Sequence, residues 1–222
     1  MGEVILLDEY RAGRAGAGCR PWGTGAPSDV EGAAAQPGAA TLWFDLASPY
    51  TYLAAERAEA LFPGLTWCPV LGGPAPADGS HVELRRRAMG RAAALRMPLV
   101  WPDSHPAAGR AGIRVAAYAA ERGQAAAFVL AASRLAFCGG FDLDDPEILA
   151  EAAAAAALPL DECLRAAGDR SRDAAMQESG RLLLAAGVDR LPAVEVGGRL
   201  FCGEERLAQA HAVARDARAH QS

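Results

Sequence analysis

The chain is poor in several features that would assign it quickly. Its five cysteines, Cys19, Cys68, Cys138, Cys163 and Cys202, lie far apart and form no C-x-x-C pair. An odd number at such spacing argues against a disulfide framework or a zinc site and fits reduced intracellular thiols, so a cytoplasmic location is expected. The four histidines, His81, His105, His211 and His220, show no metal-ligand spacing. No run reaches the roughly 18 apolar residues of a membrane span. The N-terminus has no basic segment followed by a continuous hydrophobic core, which argues against a secretory signal. Basic residues are outnumbered, 22 against 27 acidic ones, for a net charge of -5. That balance argues against a protein that holds nucleic acid by its phosphates. Aromatic residues make up only 6% of a chain that is 51% hydrophobic. Much of the apolar content is alanine, so the expected core is one of closely packed small helical faces.

What remains is a chain of 222 residues, enough for one sizeable domain or a small domain carrying an insertion. Residues 1 to 40 open with VILLDEY and continue in Gly, Ala and Pro without periodicity, and they read as a disordered tail or a mis-assigned start. From Thr41 the run TLWFDL predicts a buried strand, and residues 49–61 predict a helix that Phe62-Pro63-Gly64 ends. LTWCPV is a second strand, so this β-α-β unit predicts parallel strands joined by a right-handed crossover. GGPAPADG is a loop, and six helical segments follow between about His81 and Gly187, punctuated by glycine, proline and aspartate at cap positions. PAVEVGG and RLFCG then predict a hairpin turning at Gly197-Gly198, and residues 204–220 a final amphipathic helix. The order β-α-β, helical block, β-β-α describes an α/β thioredoxin-like fold interrupted by an all-helical insertion. Residues 41–72 and 188–220 would form the first unit, and 73–187 the insertion.

Two places stand out chemically. Ser48-Pro49 joins the first of these strands to the first helix. Serine is a preferred N-cap and proline suits the first helical position, so a plain cap explains the pair. The same helix end, with its free N–H groups and positive dipole, favours an anion, and a serine hydroxyl there can donate to a thiolate. No base lies beside Ser48 in sequence, which argues against an acyl-transfer nucleophile. The second place is Leu191-Pro192, at the start of a strand. A cis bond there would expose the Leu191 backbone to an extended ligand, and a trans bond would simply begin an edge strand. Arg85, Arg86, Arg87 and Arg91 spread around a helix as a solvated surface, or turn one or two members toward a carboxylate. Arg110 and Arg114 pose the same choice. Cys202 reads as a buried strand residue, and Trp43 and Tyr50 as packing residues, with Tyr50 open to lining a cleft.

FDLASPYTYLA, PVLGG, MPLVWPDSHP with GRAGIRVAAYA, FDLDDPEIL and GVDRLPAVEVGGRLFCGEERL occur in this order between about Thr41 and His211. In that order the chain resembles the DsbA-like branch of the thioredoxin superfamily. It is most similar there to the 2-hydroxychromene-2-carboxylate isomerases and the kappa-class glutathione transferases. The resemblance implies a glutathione-dependent site in which Ser48 hydrogen-bonds the glutathione sulfur and Leu191, before Pro192, pairs with the cysteinyl backbone. It places Glu204 and Glu205 at the γ-glutamyl end, where relatives carry a small polar residue followed by Asp. Glu204 adds bulk and a second negative charge, and pointing inward it would repel the γ-glutamyl carboxylate. The implied activity is isomerisation of an aromatic carboxylate or a related electrophile, with a small aromatic molecule as substrate and a homodimer as a common state of relatives. A kappa-like transferase and a non-catalytic thioredoxin-fold binding protein are the alternatives. Disulfide exchange ranks last, since Ser48 and Thr51 cannot form a disulfide.

Overall fold

The computed structural model describes residues 4–6, 39–73, 81–103 and 109–219. The tail expected over residues 1 to 40 needs correcting at both ends. Val4–Leu6 forms a strand, β1, and Ala40 already belongs to the next strand, β2 (Ala40–Phe44). The rest of that stretch and the loop residues 74–80 lie outside the described residues. After β2 come α1 (Pro49–Leu61), β3 (Thr66–Pro69), α2 (His81–Ala94), α3 (Arg110–Glu121) and α4 (Ala125–Phe137). α5 (Pro146–Ala155), α6 (Leu160–Gly168), a 3-10 turn at Arg170–Arg172 and α7 (Asp173–Ala185) complete the helical block. β4 (Ala193–Val196), β5 (Arg199–Cys202), a 3-10 turn at Glu204–Arg206 and α8 (Leu207–Ala219) close the chain.

The five strands form one sheet in the order β1-β5-β4-β2-β3. β2 and β3 run parallel, with Leu42 opposite Trp67, as the β-α-β reading requires. β2 pairs antiparallel with β4, Leu42 opposite Val194, and β4 pairs with β5 through a tight hairpin. Gly197 and Gly198 hold φ of 55° and 74°, the left-handed pair that a two-residue turn of matching twist needs. β1 adds antiparallel to β5, with Val4 opposite Phe201, and covers what would otherwise be a free edge.

Strand alternation divides the apolar side chains between two faces. Leu42, Phe44, Val194, Val196 and Phe201 face α1 and α8, where Tyr52, Leu53, Phe62 and Leu207 join them. The same cluster continues through Val115, Phe128, Phe137 and Leu149, so α3 to α5 share a core with the sheet and have no separate one. The core-facing positions of these helices are mostly alanine, as the composition foretold: Ala116, Ala117, Ala119, Ala132, Ala136, Ala152 and Ala153 are all buried. On the opposite face Val70, Leu191, Ala193, Leu200 and Cys202 pack with Leu183 of α7, so a helix of the 73–187 block covers the second face of the sheet. Among the described residues no helix is long and apolar enough to cross a membrane.

Candidate functional site

β2 ends at Phe44, and the next four residues turn the chain into α1. Ser48 is extended, at φ -85° and ψ 123°, and its Oγ accepts the Tyr50 N–H at 3.2 Å. Its carbonyl accepts the Thr51 N–H at 3.0 Å, and Pro49 takes the first helical position. The cap is therefore real. It uses a lone pair of the hydroxyl and leaves the hydroxyl hydrogen for another acceptor. Thr51, three residues on, is fully buried, and among the described residues its hydroxyl has no hydrogen-bond partner.

The Ser48 N–H has a partner that sequence reading missed. It donates to Asp45 Oδ1 at 2.7 Å. Burial pushes the Asp45 carboxyl above the usual aspartate range, and the backbone N–H groups of Ser48 and Ala47 offset part of that rise. No cation pairs with Asp45 among the described residues. Its only signal in sequence was an acidic residue closing an apolar run three positions before a cap.

The antiparallel register of β4 brings the second place to the same end of the sheet. Ala193 lies opposite Trp43, so one further step sets Pro192 beside Phe44, close to where Asp45–Ser48 leaves β2. The Leu191-Pro192 bond is cis. Leu191 is buried against Val70 and Val188, and the Pro192 carbonyl accepts the Gly203 N–H at 2.8 Å. That bond carries the 203–206 segment to the same corner. Gly203 is required there: its φ is 91°, and a Cβ would fall on the Glu205 carboxylate.

The two glutamates behave differently from the expectation. Glu204 does not present its carboxylate to a ligand. It is 1% exposed, and both oxygens are taken by arginines, Arg57 from α1 and Arg91 from α2. Arg57 also donates to the Glu204 carbonyl at 3.3 Å. The second negative charge is thus neutralised inside the protein. Glu205 remains half exposed and meets Arg190 at 2.9 Å. All 22 basic residues are arginine, whose planar fork suits such pairing.

The other arginines resolve in the same way. Arg86 and Arg87 both hold Glu83, whose carboxyl falls to about 2 under their hydrogen bonds, while Arg85 is exposed. Arg114 is buried and bidentate to Asp173 at 2.8 and 2.7 Å, and Arg110 reaches the same carboxylate at 3.5 Å. Cys202 is a buried strand residue whose thiol is pushed up, first by burial. Trp43 packs on the second cluster and Tyr50 against the main one. Tyr52 donates to the Pro98 carbonyl at 2.9 Å and accepts from Cys138 Sγ at 3.1 Å. That pairing had no sequence signature. His105, His220 and Cys19 lie outside the described residues.

A mixed sheet with this strand order, a helix beginning at its centre and a cis-proline at the facing strand defines a thioredoxin-fold protein, here with serine at the helix start. More narrowly, the chain belongs to the DSBA-like thioredoxin domain family, whose model matches residues 40–213. It is similar in structure to a 2-hydroxychromene-2-carboxylate isomerase, with a TM-score of 0.64 at 19% identity, covering 82% of this chain and 97% of that one. It is also similar to the cytosolic disulfide reductase DsbM from Pseudomonas aeruginosa, solved with GSH. There the TM-score is 0.61 at 17% identity, over 82% and 98% of the two chains. A probable DsbA oxidoreductase from Streptomyces coelicolor gives 0.58 at 21%, over 80% and 89%. None of the curated proteins compared with the chain matches it.

Proposed function

We propose that this protein is a cytoplasmic, glutathione-dependent isomerase of the 2-hydroxychromene-2-carboxylate isomerase type, acting on an aromatic carboxylate or a related electrophile. The observation that carries the reading is Ser48. Its hydroxyl caps α1 by accepting the Tyr50 N–H and keeps its hydrogen for a sulfur, at the sheet end that Leu191-Pro192 also reaches. A thiolate docked there would meet that hydrogen and the positive end of a 13-residue helix, both of which favour the ionised form. The sulfur would add reversibly to an electrophilic carbon of the substrate, permit rotation and leave again. Ser48 and Thr51 supply no thiol at the helix start, and in this reading the sulfur is that of glutathione. The isomerase and the GSH-bound reductase among the similar structures support this reading.

The test is calorimetry with glutathione, followed by turnover of a chromene carboxylate. Binding in the millimolar range or tighter, weakened by Ser48→Ala, is expected. No heat at millimolar glutathione would remove the cofactor from the reading. A kappa-like transferase would instead accumulate a stable conjugate with a model electrophile. A specific observation favours a second reading, a non-catalytic binding protein: Arg57 and Arg91 occupy Glu204 and Arg190 occupies Glu205, so neither carboxylate is free for a γ-glutamyl ammonium. That reading predicts a retained ligand in native mass spectrometry and no turnover with any thiol.

A further inference from the structure

We propose that α2 and the start of α5 form one self-complementary surface, through which two copies of this chain pair about a two-fold axis. The proposal is independent of the ligand that Ser48 seats.

Charge is segregated along the chain. Residues 84–102 carry five arginines and no acid, and residues 135–157 carry five acids and no base. The two stretches meet in space. After α2 the chain turns back, the Met97 N–H donating to the Ala92 carbonyl, and the Val100 N–H then donates to the Phe137 carbonyl at 2.7 Å. A Cβ on Gly140 would stand 3.1 Å from Val100, so Val100 lies against the turn that precedes Phe141. Val100 and Phe141 are each 47% exposed, an apolar seam between the basic stretch and the acidic one.

Much of that charge is left at the surface. Arg91 is taken by Glu204, and Arg86 and Arg87 share Glu83, but Arg85 and Arg96 are exposed. Asp145 caps α5 and Asp144 accepts the Gly109 N–H, bonds to backbone that leave both charges in place. Glu147 and Glu151 are exposed one helical turn apart, and among the described residues no arginine pairs with either. α2 adds Val82 and Met89, 76% and 43% exposed and two turns apart on the face that carries Arg85 and Arg86. Only Ala88 and Ala92 of this helix are buried, so most of its surface is open.

A second copy is the occupant that answers all three parts. Turned by a half rotation, its acids meet the arginines of the first copy, its arginines meet the acids, and the apolar seams face each other. That reciprocity is what an isologous contact requires, residue i meeting j and j meeting i. A purely anionic partner would use the arginines and set its own charge against the acids.

The experiment reverses one patch at a time in the full chain. Arg85→Glu/Arg96→Glu makes both patches acidic, and Glu147→Arg/Glu151→Arg makes both basic. Sedimentation across a concentration series is expected to show a dimer for the parent chain, weakened by salt. Each variant alone should raise the dissociation constant by about tenfold or more, the effect of like charges set against each other. An equal mixture of the two should recover the parent value, since both contacts are then attractive. A parent chain that stays monomeric overturns the proposal, and flotation of that monomer with vesicles of anionic phospholipid would give α2 to a lipid surface instead. A variant that dimerises as the parent does, or folded variants that stay apart when mixed, also overturn it. Should a charge variant lose its fold by circular dichroism, Val100→Asn/Phe141→Asn decides. A rise in the dissociation constant of about tenfold is expected from losing the apolar centre of the contact, and no change overturns the pairing.

Discussion

Arg91, near the end of α2, closes its guanidinium on the carboxylate of Glu204, 113 residues away and 1% exposed. Arg57 from α1 takes the other oxygen, so one carboxylate ties α1, α2 and the turn that begins α8. α2 buries only Ala88 and Ala92 among its own residues, which makes this tie a main anchor of the helix.

Glu204→Ala is therefore expected to destabilise the protein by about 2–3 kcal/mol, the cost of leaving two arginines without their buried partner, reduced because each is about a third exposed. Chemical denaturation checks the magnitude, and hydrogen exchange should show α2 losing protection first.

Ser48→Ala removes the cap acceptor of the Tyr50 N–H. About 1 kcal/mol of stability should be lost, together with affinity for glutathione. Ser48→Asp would restore the cap and not the binding, because an ionised carboxylate accepts but cannot donate to a sulfur. Paired denaturation and calorimetry separate the two effects.

Asp173 and Asp45 should act on acid stability with opposite signs. The hydrogen bonds from Arg114 hold the Asp173 carboxyl below its ordinary value of 3.8. Its contribution is full above that value and is lost as pH falls toward the folded value. Asp45 is raised by burial, so the folded state binds its proton more tightly than the unfolded one. Its effect is a loss of stability as pH rises from 3.8 through the folded value. Asp173→Asn should flatten the acid limb of a stability–pH curve, and Asp45→Asn should gain on the parent protein as pH rises.

Gly180→Ala tests the packing under the second face of the sheet. A Cβ there would stand 2.5 Å from the Leu71 carbonyl oxygen and 3.1 Å from backbone atoms of Gly72 and Gly73. Backbone cannot yield as a side chain can, so a loss of about 1–3 kcal/mol is expected. Thermal unfolding measures it. The Leu71 N–H, which donates to the Met176 carbonyl at 3.2 Å, should exchange faster.

Much of the fold could be read from local pattern. The helix after Ser48-Pro49, the cap at Asp145 before Pro146 and the Gly197-Gly198 hairpin each follow from residues within four positions of one another. Strand β1 escaped notice because three apolar residues ahead of a glycine-rich stretch carry no period, and only the open edge of β5 gives them a partner. Asp45 escaped because a strand-ending aspartate looks alike whether it meets water or a neighbouring N–H.

The order of elements, the cap at Ser48 and the lack of any redox cysteine pair can be read from the chain alone, since they depend on near neighbours and on composition. Which arginines meet Glu204, at separations of 147 and 113 residues, and that its charge is spent inside the protein, follow from the packed fold. Only the sheet register set Leu191-Pro192 at the end of β2 where Ser48 begins. Ion pairs and strand registers of that reach join residues with no shared local pattern, and it is burial of the common core that chooses among the partners composition allows.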